Sequence, residues 1–254
     1  MTTYSFQVAY LNALRVKKVI PNNILQEINS NKNLSMLVSV LKDYNYRKIF
    51  DLKNTDQEIL DSAKFESILE QELNDTLETI NGLIKEKDKF IIEILTYFFN
   101  TELDTYEKIV LFFKQYKPKI EKLNSTLCCQ LLKLIIDFEN IKLFLSYIIL
   151  GTKSVKFIPD GNINPLVLKE IFPSVENLNK VFSVVYYSPA IKVSIEPQNK
   201  NFNYYFIYYL QQLVWESKFY YFTIEPIIFY FFEKFIEVQY LKKIYYSIKG
   251  VSYE

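Results

Sequence analysis

The stretch Leu34-Ser35-Met36-Leu37-Val38-Ser39-Val40-Leu41 decides the fold, because it returns as Leu178-Asn179-Lys180-Val181-Phe182-Ser183-Val184-Val185, 144 positions further on. Upstream of it, Ile24-Leu25-Gln26-Glu27-Ile28 reads against Val167-Leu168-Lys169-Glu170-Ile171 at an offset of 143, a slip of one residue in the connecting loop. A second echo pairs Asp137-Phe138-Glu139-Asn140-Ile141-Lys142 with Glu237-Val238-Gln239-Tyr240-Leu241-Lys242 at an offset of 100. In the first copy Leu34, Leu37, Val38 and Leu41 fall on one helical face. Val, Tyr and Phe would also suit a strand over 181–193, and the match to the helical first copy tips that segment to helix. Repeated helical units build shape and contact surface and work by binding partners, which points away from an enzyme.

Composition agrees. Half of the 254 residues are hydrophobic, so the chain can bury a substantial core. Only 4 residues are Gly, too few for a sheet protein with tight hairpins, while 42 are Tyr or Phe. Much of that aromatic excess reads as core filling. Lys plus Arg is 30 against 29 for Asp plus Glu, mixed along the chain. No basic stripe marks a phosphate-binding surface, which argues against nucleic acid. The adjacent Cys128 and Cys129 point about 100° apart on a helix and suit neither a structural disulfide nor a zinc site. They read as buried small hydrophobes in a reducing compartment.

Proline, glycine and capping residues place the elements. Tyr4–Val19 reads as a helix with apolar groups at Phe6, Tyr10 and Leu14 and with Arg15, Lys17 and Lys18 near its negative end. Pro21 breaks it; Asn22 or Asn23 can cap a second helix, and Asn31 or Asn33 a third. A charged helix over Asp56–Leu83 follows, then helices over Phe90–Phe99 and Tyr106–Tyr116, the latter ending before Pro118. Leu123–Leu150 is strongly apolar and closes at Gly151. Ile158-Pro159-Asp160-Gly161 is a turn, Asn164-Pro165 opens a further helix, and the last helices cover Phe202–Lys218 and Glu225–Lys249. The apolar run Phe219–Ile236 carries Glu225, Glu233 and Lys234 and is read as a buried helix, not a membrane span. The N-terminus shows no basic leader with an apolar run, so a soluble chain is expected.

Reactive chemistry leaves no mark. Histidine is absent, and with it the commonest general base. No phosphate-binding glycine loop, nucleophile elbow or aspartate-rich magnesium motif occurs. Asp137 and Glu139, two apart, diverge on a helix, and Glu233 with Glu237 reads as a polar face. No cofactor or metal is expected.

Three stretches resemble the central-stalk socket protein of V-type and A-type rotary ATPases (the AC39 family). Tyr10-Leu11-Asn12-Ala13-Leu14-Arg15-Val16-Lys17 is similar to the family's opening. Asp137 to Lys142, followed by Gly151 and Ile158-Pro159-Asp160-Gly161-Asn162-Ile163, looks like its internal helix, loop and turn. Glu225-Pro226-Ile227-Ile228-Phe229-Tyr230 through Lys249-Gly250 looks like its last helix. The resemblance implies an all-α fold of repeated helical-bundle units arranged as a funnel or socket, here shorter than the usual three-unit form. No linker or low-complexity segment separates independent domains, so the residues themselves point to a single all-α body over 1–254, with approximate units at 1–127, 128–200 and 201–254. The resemblance also implies a non-catalytic rotor subunit at the cytoplasmic face of the membrane, joining the central axle (D- and F-type subunits) to the proteolipid ring and carrying torque for proton or sodium transport; the repeats by themselves would equally suit a helical interaction scaffold in another multiprotein complex. Candidate partner-binding residues are Tyr10, Arg15 and Lys17 on the first helix, Asn140 and Lys142 on the internal one, and Lys242 and Lys243 on the last.

Overall fold

The computed structural model describes residues 4–52, 61–97, 106–150, 156–164 and 202–251. The second copy of the repeat at 167–185, the alternative strand at 181–193, the Gly151 cap and the helix opening at Pro165 lie outside the described residues. Helices α1 (Ser5–Lys18), α2 (Asn22–Asn31), α3 (Leu34–Asp43), α4 (Ser62–Leu83), α5 (Phe90–Tyr97), α6 (Tyr106–Glu121), α7 (Thr126–Leu150), α8 (Phe202–Ser217) and α9 (Glu225–Ile248) carry the described fold, with short 3-10 turns at Arg47–Asp51 and Glu86–Asp88. No strand occurs among the described residues. The chain is all-α.

Local chemistry explains most boundaries. Asn33 accepts from the Met36 amide and starts α3, and Asp61 accepts from the Ala63 amide and starts α4. α2 begins differently from expectation. Pro21 is its extended N-cap and no side chain caps it, so Asn22 and Asn23 are already helical. α6 also departs from the expected break: it runs through Pro118 to Glu121. Its end is made by left-handed Asn124, and Ser125 Oγ then accepts the Cys128 amide to start α7. Cys128 is buried and Cys129 half-buried, and neither is in a disulfide.

Two compact units emerge. One comprises Met1–Phe99 with Val214–Glu254, the other Asn100–Leu213. The first is assembled around α9, whose consecutive residues Ile227 to Phe232 are all buried, as befits a helix surrounded by neighbours on every side. Helices α1, α2, α3, α4 and α5 all pack against it. The core joins Leu25 and Ile28 of α2, Leu37, Val38 and Leu41 of α3, Phe65, Leu69 and Leu73 of α4, and Val238, Leu241 and Tyr245 of α9. The Phe65 and Tyr245 rings stack with centroids 3.9 Å apart. The quoted stretch Leu34–Leu41 thus buries its predicted face.

On α1 the buried face is not the aromatic one. Val8 and Leu11 are buried, whereas Phe6 is 79% and Tyr10 47% exposed. Two apolar stripes compete on this helix; the branched aliphatic one turns inward, and the bulky rings remain in water. The second unit pairs α6 with α7 through Ile109, Phe113, Tyr116 and Ile120 against a nearly continuous apolar run from Leu127 to Ile141. Phe138 meets Phe206 with ring centroids 4.6 Å apart.

Candidate functional site

Each unit hides an acidic residue at the same point of the sequence echo. In the second unit Asp137 is fully buried on α7. Its carboxylate accepts the amides of Asn162 and Ile163, each at 3.0 Å, and so holds the Ile158–Ile163 turn against the helix. One turn along, Asn140 clamps the same segment. Its side-chain amide donates to Ile158 O at 2.9 Å and its oxygen accepts from Ile158 N at 2.7 Å. Gly161 is required by proximity: a Cβ there would stand 2.1 Å from Asp137 Oδ1. Burial raises the Asp137 carboxyl to about 6, the two amide bonds and Lys133 opposing it.

In the first unit the echo partner Glu237 is likewise buried, and its Oε2 accepts the Ile20 amide at 2.7 Å. Positions 20 and 163 are 143 apart, the offset of the upstream repeat. The same device therefore occurs twice: a helix-borne carboxylate seizes the amide of an isoleucine on the way into the next segment. In the first unit that helix comes from the far end of the chain.

Around Glu237 the first unit adds a lysine. Lys234 is fully buried, 2.5 Å from Glu237 and 3.1 Å from Glu72 of α4, and it donates to Lys18 O at 2.8 Å. Tyr46, held just after left-handed Asn45, donates to Glu237 Oε1, and Lys234 Nζ lies 4.7 Å from its ring centroid. Burial pulls the Lys234 ammonium down, but Glu237 and Glu72 outweigh it and the net direction is up. Burial raises Glu72, with Lys234 opposing, and neither Glu72 oxygen receives an aligned hydrogen bond. One cation thus serves two buried carboxylates, and Glu72 is the one left short. The expected polar face of Glu233 and Glu237 is corrected accordingly. It turns inward, with Glu237 in the core and Glu233 accepting from Arg15 at 2.8 Å and Lys218 at 2.6 Å.

The candidate contact residues fall into distinct settings. Tyr10, Lys17 and Lys243 are exposed, and Lys142 is exposed beside Glu139 at 2.8 Å. Arg15 is largely covered: besides Glu233 it donates to Asn12 Oδ1 and Pro226 O, and it lies 5.8 Å over the Tyr230 ring. Lys242 is half-buried and ion-paired with Glu66 of α4. Asn140 is 1% exposed, and its side chain is committed to the turn. In the first unit, then, α1 brings Tyr10 and Lys17 to the surface, and α9 brings Lys243. Buried Asp137, Lys234 and Glu237 were signalled in the sequence only by charges inside apolar helices and by the echo that aligns the two acids.

Among the described residues no group of three or more Cys, Asp or Glu could hold a metal ion, and no helix is long and apolar enough to cross a membrane. The arrangement is a helical scaffold in which buried Asp137, Lys234 and Glu237 are partnered internally, with a set of exposed side chains on its long helices. By its described residues the chain is an all-α protein. The chain is a member of the ATP synthase (C/AC39) subunit family, whose sequence profile matches residues 106–250, more than half of its length. No curated protein and no solved structure matches it.

Proposed function

We propose that this chain is the non-catalytic coupling subunit of a V/A-type rotary ATPase, joining the axle to the proteolipid ring and passing torque between them. Family membership over 106–250 carries the reading. The packing supports it, because torque transmission needs stiffness, and here buried carboxylates tie distant segments to the long helices in both units. The axle subunits would be of the D and F type, and the working position the cytoplasmic face of the membrane. Tyr10, Lys17, Lys142 and Lys243 are the contact candidates with exposed side chains; Arg15, Asn140 and Lys242 would act from beneath, by holding the segments that carry them.

The test is native mass spectrometry of the purified chain mixed with the axle heterodimer from the same organism. A one-to-one complex is expected. Failure to form it at micromolar concentration would overturn the axle-socket role.

A further inference from the structure

The corner joining α8 to α9 presents aromatic rings to solvent in a way that core filling does not explain. Phe219, Tyr220, Tyr221 and Phe222 follow one another and are 62, 41, 56 and 64% exposed, and Trp215 on the last turn of α8 is 62% exposed. At ~150–250 Å² per ring, the four consecutive residues alone leave roughly 400 Å² of aromatic surface in water, about the size at which an exposed patch on a soluble protein carries function. Phe6 and Tyr10 add to the aromatic surface of the same unit from α1, whose entry is tied to the corner by the Tyr4 amide donating to Phe222 O at 3.0 Å.

The backbone beneath is braced. The amides of Lys218, Phe219 and Tyr220 donate to the carbonyls of Trp215, Glu216 and Ser217 at 3.1–3.2 Å. Behind the corner Tyr4 is buried, with its hydroxyl donating to Asp88 at 2.6 Å. A chain that fixes its backbone yet leaves four successive rings outside is presenting them.

We propose that this corner is an anchor that inserts its rings into the headgroup region of a lipid bilayer. Three observations favour lipid over a folded partner. The four rings are consecutive in a turn, not spaced three or four apart along a helix, so they do not make the single stripe that a helical partner reads; a fluid interface accommodates them all. The set is Phe with Tyr and Trp, side chains with an apolar body and, in the last two, a polar tip, which favour the boundary between hydrocarbon and water. Charge offers no alternative attraction: the chain's net charge is +1, and the lysine at the corner, Lys218, is held by Glu233. Attachment is therefore apolar and insensitive to salt. The inference deepens the rotor reading by giving that subunit a lipid contact of its own.

Trp215 is the sole tryptophan of the chain and stands at the corner, its ring 5.9 Å from that of Phe219, so it reports insertion directly. With phosphatidylcholine vesicles, and with vesicles carrying one-fifth phosphatidylglycerol, its emission should shift to the blue and be quenched by bromines placed in the acyl chains. Partitioning should be equal in low and high salt. The triple variant Phe219→Ser, Tyr221→Ser, Phe222→Ser should partition at least about tenfold more weakly with unchanged helix content. Should that variant misfold, the bromine quenching of the natural chain still decides. Unmoved emission, loss of binding at high salt, undiminished binding of the triple variant, or a shift seen only with an added protein would each overturn the lipid anchor. Because the vesicles contain no proteolipid and no axle, this result stands apart from the mass-spectrometric test: either can fail while the other holds.

Discussion

Asp137 shows how a single buried residue sets a dependence on pH. Its carboxyl titrates near 6 in the fold against an ordinary 3.8, so between those values the folded state holds a proton that the unfolded state has released. Stability therefore falls as pH rises through that window, by on the order of 3 kcal/mol if the whole shift is expressed. Glu72, raised in the same direction by burial, adds to the same slope. Urea midpoints measured from pH 4 to 7 should decline, and Asp137→Asn should flatten the decline. A midpoint that climbs across this range would contradict the burial-dominated assignment. Lys234 gives the second residue-scale expectation. Lys234→Met leaves Glu72 and Glu237 buried without their cation and should cost roughly 3–5 kcal/mol. Adding Glu72→Gln and Glu237→Gln should restore a large part of that loss in the same urea titration, since the uncompensated charges are then gone.

At the scale of the element, α9 does most of the organising, and both its ends are specified locally. Pro226 stands in its first turn, where a missing amide hydrogen costs nothing. At the other end Gly250 adopts φ 71°, the Gly250 amide donates to Ser247 O, and the Val251 amide donates to Tyr246 O. This pair of bonds is a Schellman closure, which needs a left-handed residue. Gly250→Ala should cost about 1 kcal/mol by thermal denaturation, with Gly82→Ala as the comparison, since a Cβ at Gly82 meets nothing within 4 Å. An equal response at the two positions would show that the left-handed cap is not what matters. The twofold use of a buried carboxylate to catch an isoleucine amide also belongs to this scale. It explains why Asp137 and Glu237 align at an offset of 100 while their surroundings diverge.

For the molecule as a whole, the proposed coupling role is tested by binding. Lys242→Glu with Lys243→Glu should weaken axle docking while leaving far-UV circular dichroism unchanged. Because Lys242 also pairs with Glu66, the double variant should lose up to ~1 kcal/mol of stability as well. Lys243→Glu alone, at an exposed position, separates docking from that loss. Undiminished docking by both variants would remove this end of α9 from the interface.

The sequence alone determined the helical class, most element boundaries and the family. Proline, glycine and capping side chains act through bonds a few residues long, and a repeated apolar pattern survives in the letters themselves. The inward face of α3 was legible for that reason, as was the turn at Ile158–Gly161. Only the tertiary structure decided which of two apolar stripes on α1 is covered, that α6 continues through Pro118, and that Asn140 is a clamp and Glu237 a core residue. It alone brought Lys234 to Glu72 from 162 positions away and set Tyr4 behind the aromatic corner. These outcomes depend on which surfaces meet. The burial of a charge or the exposure of a ring is a property of its neighbours in space, which no local pattern of residues encodes.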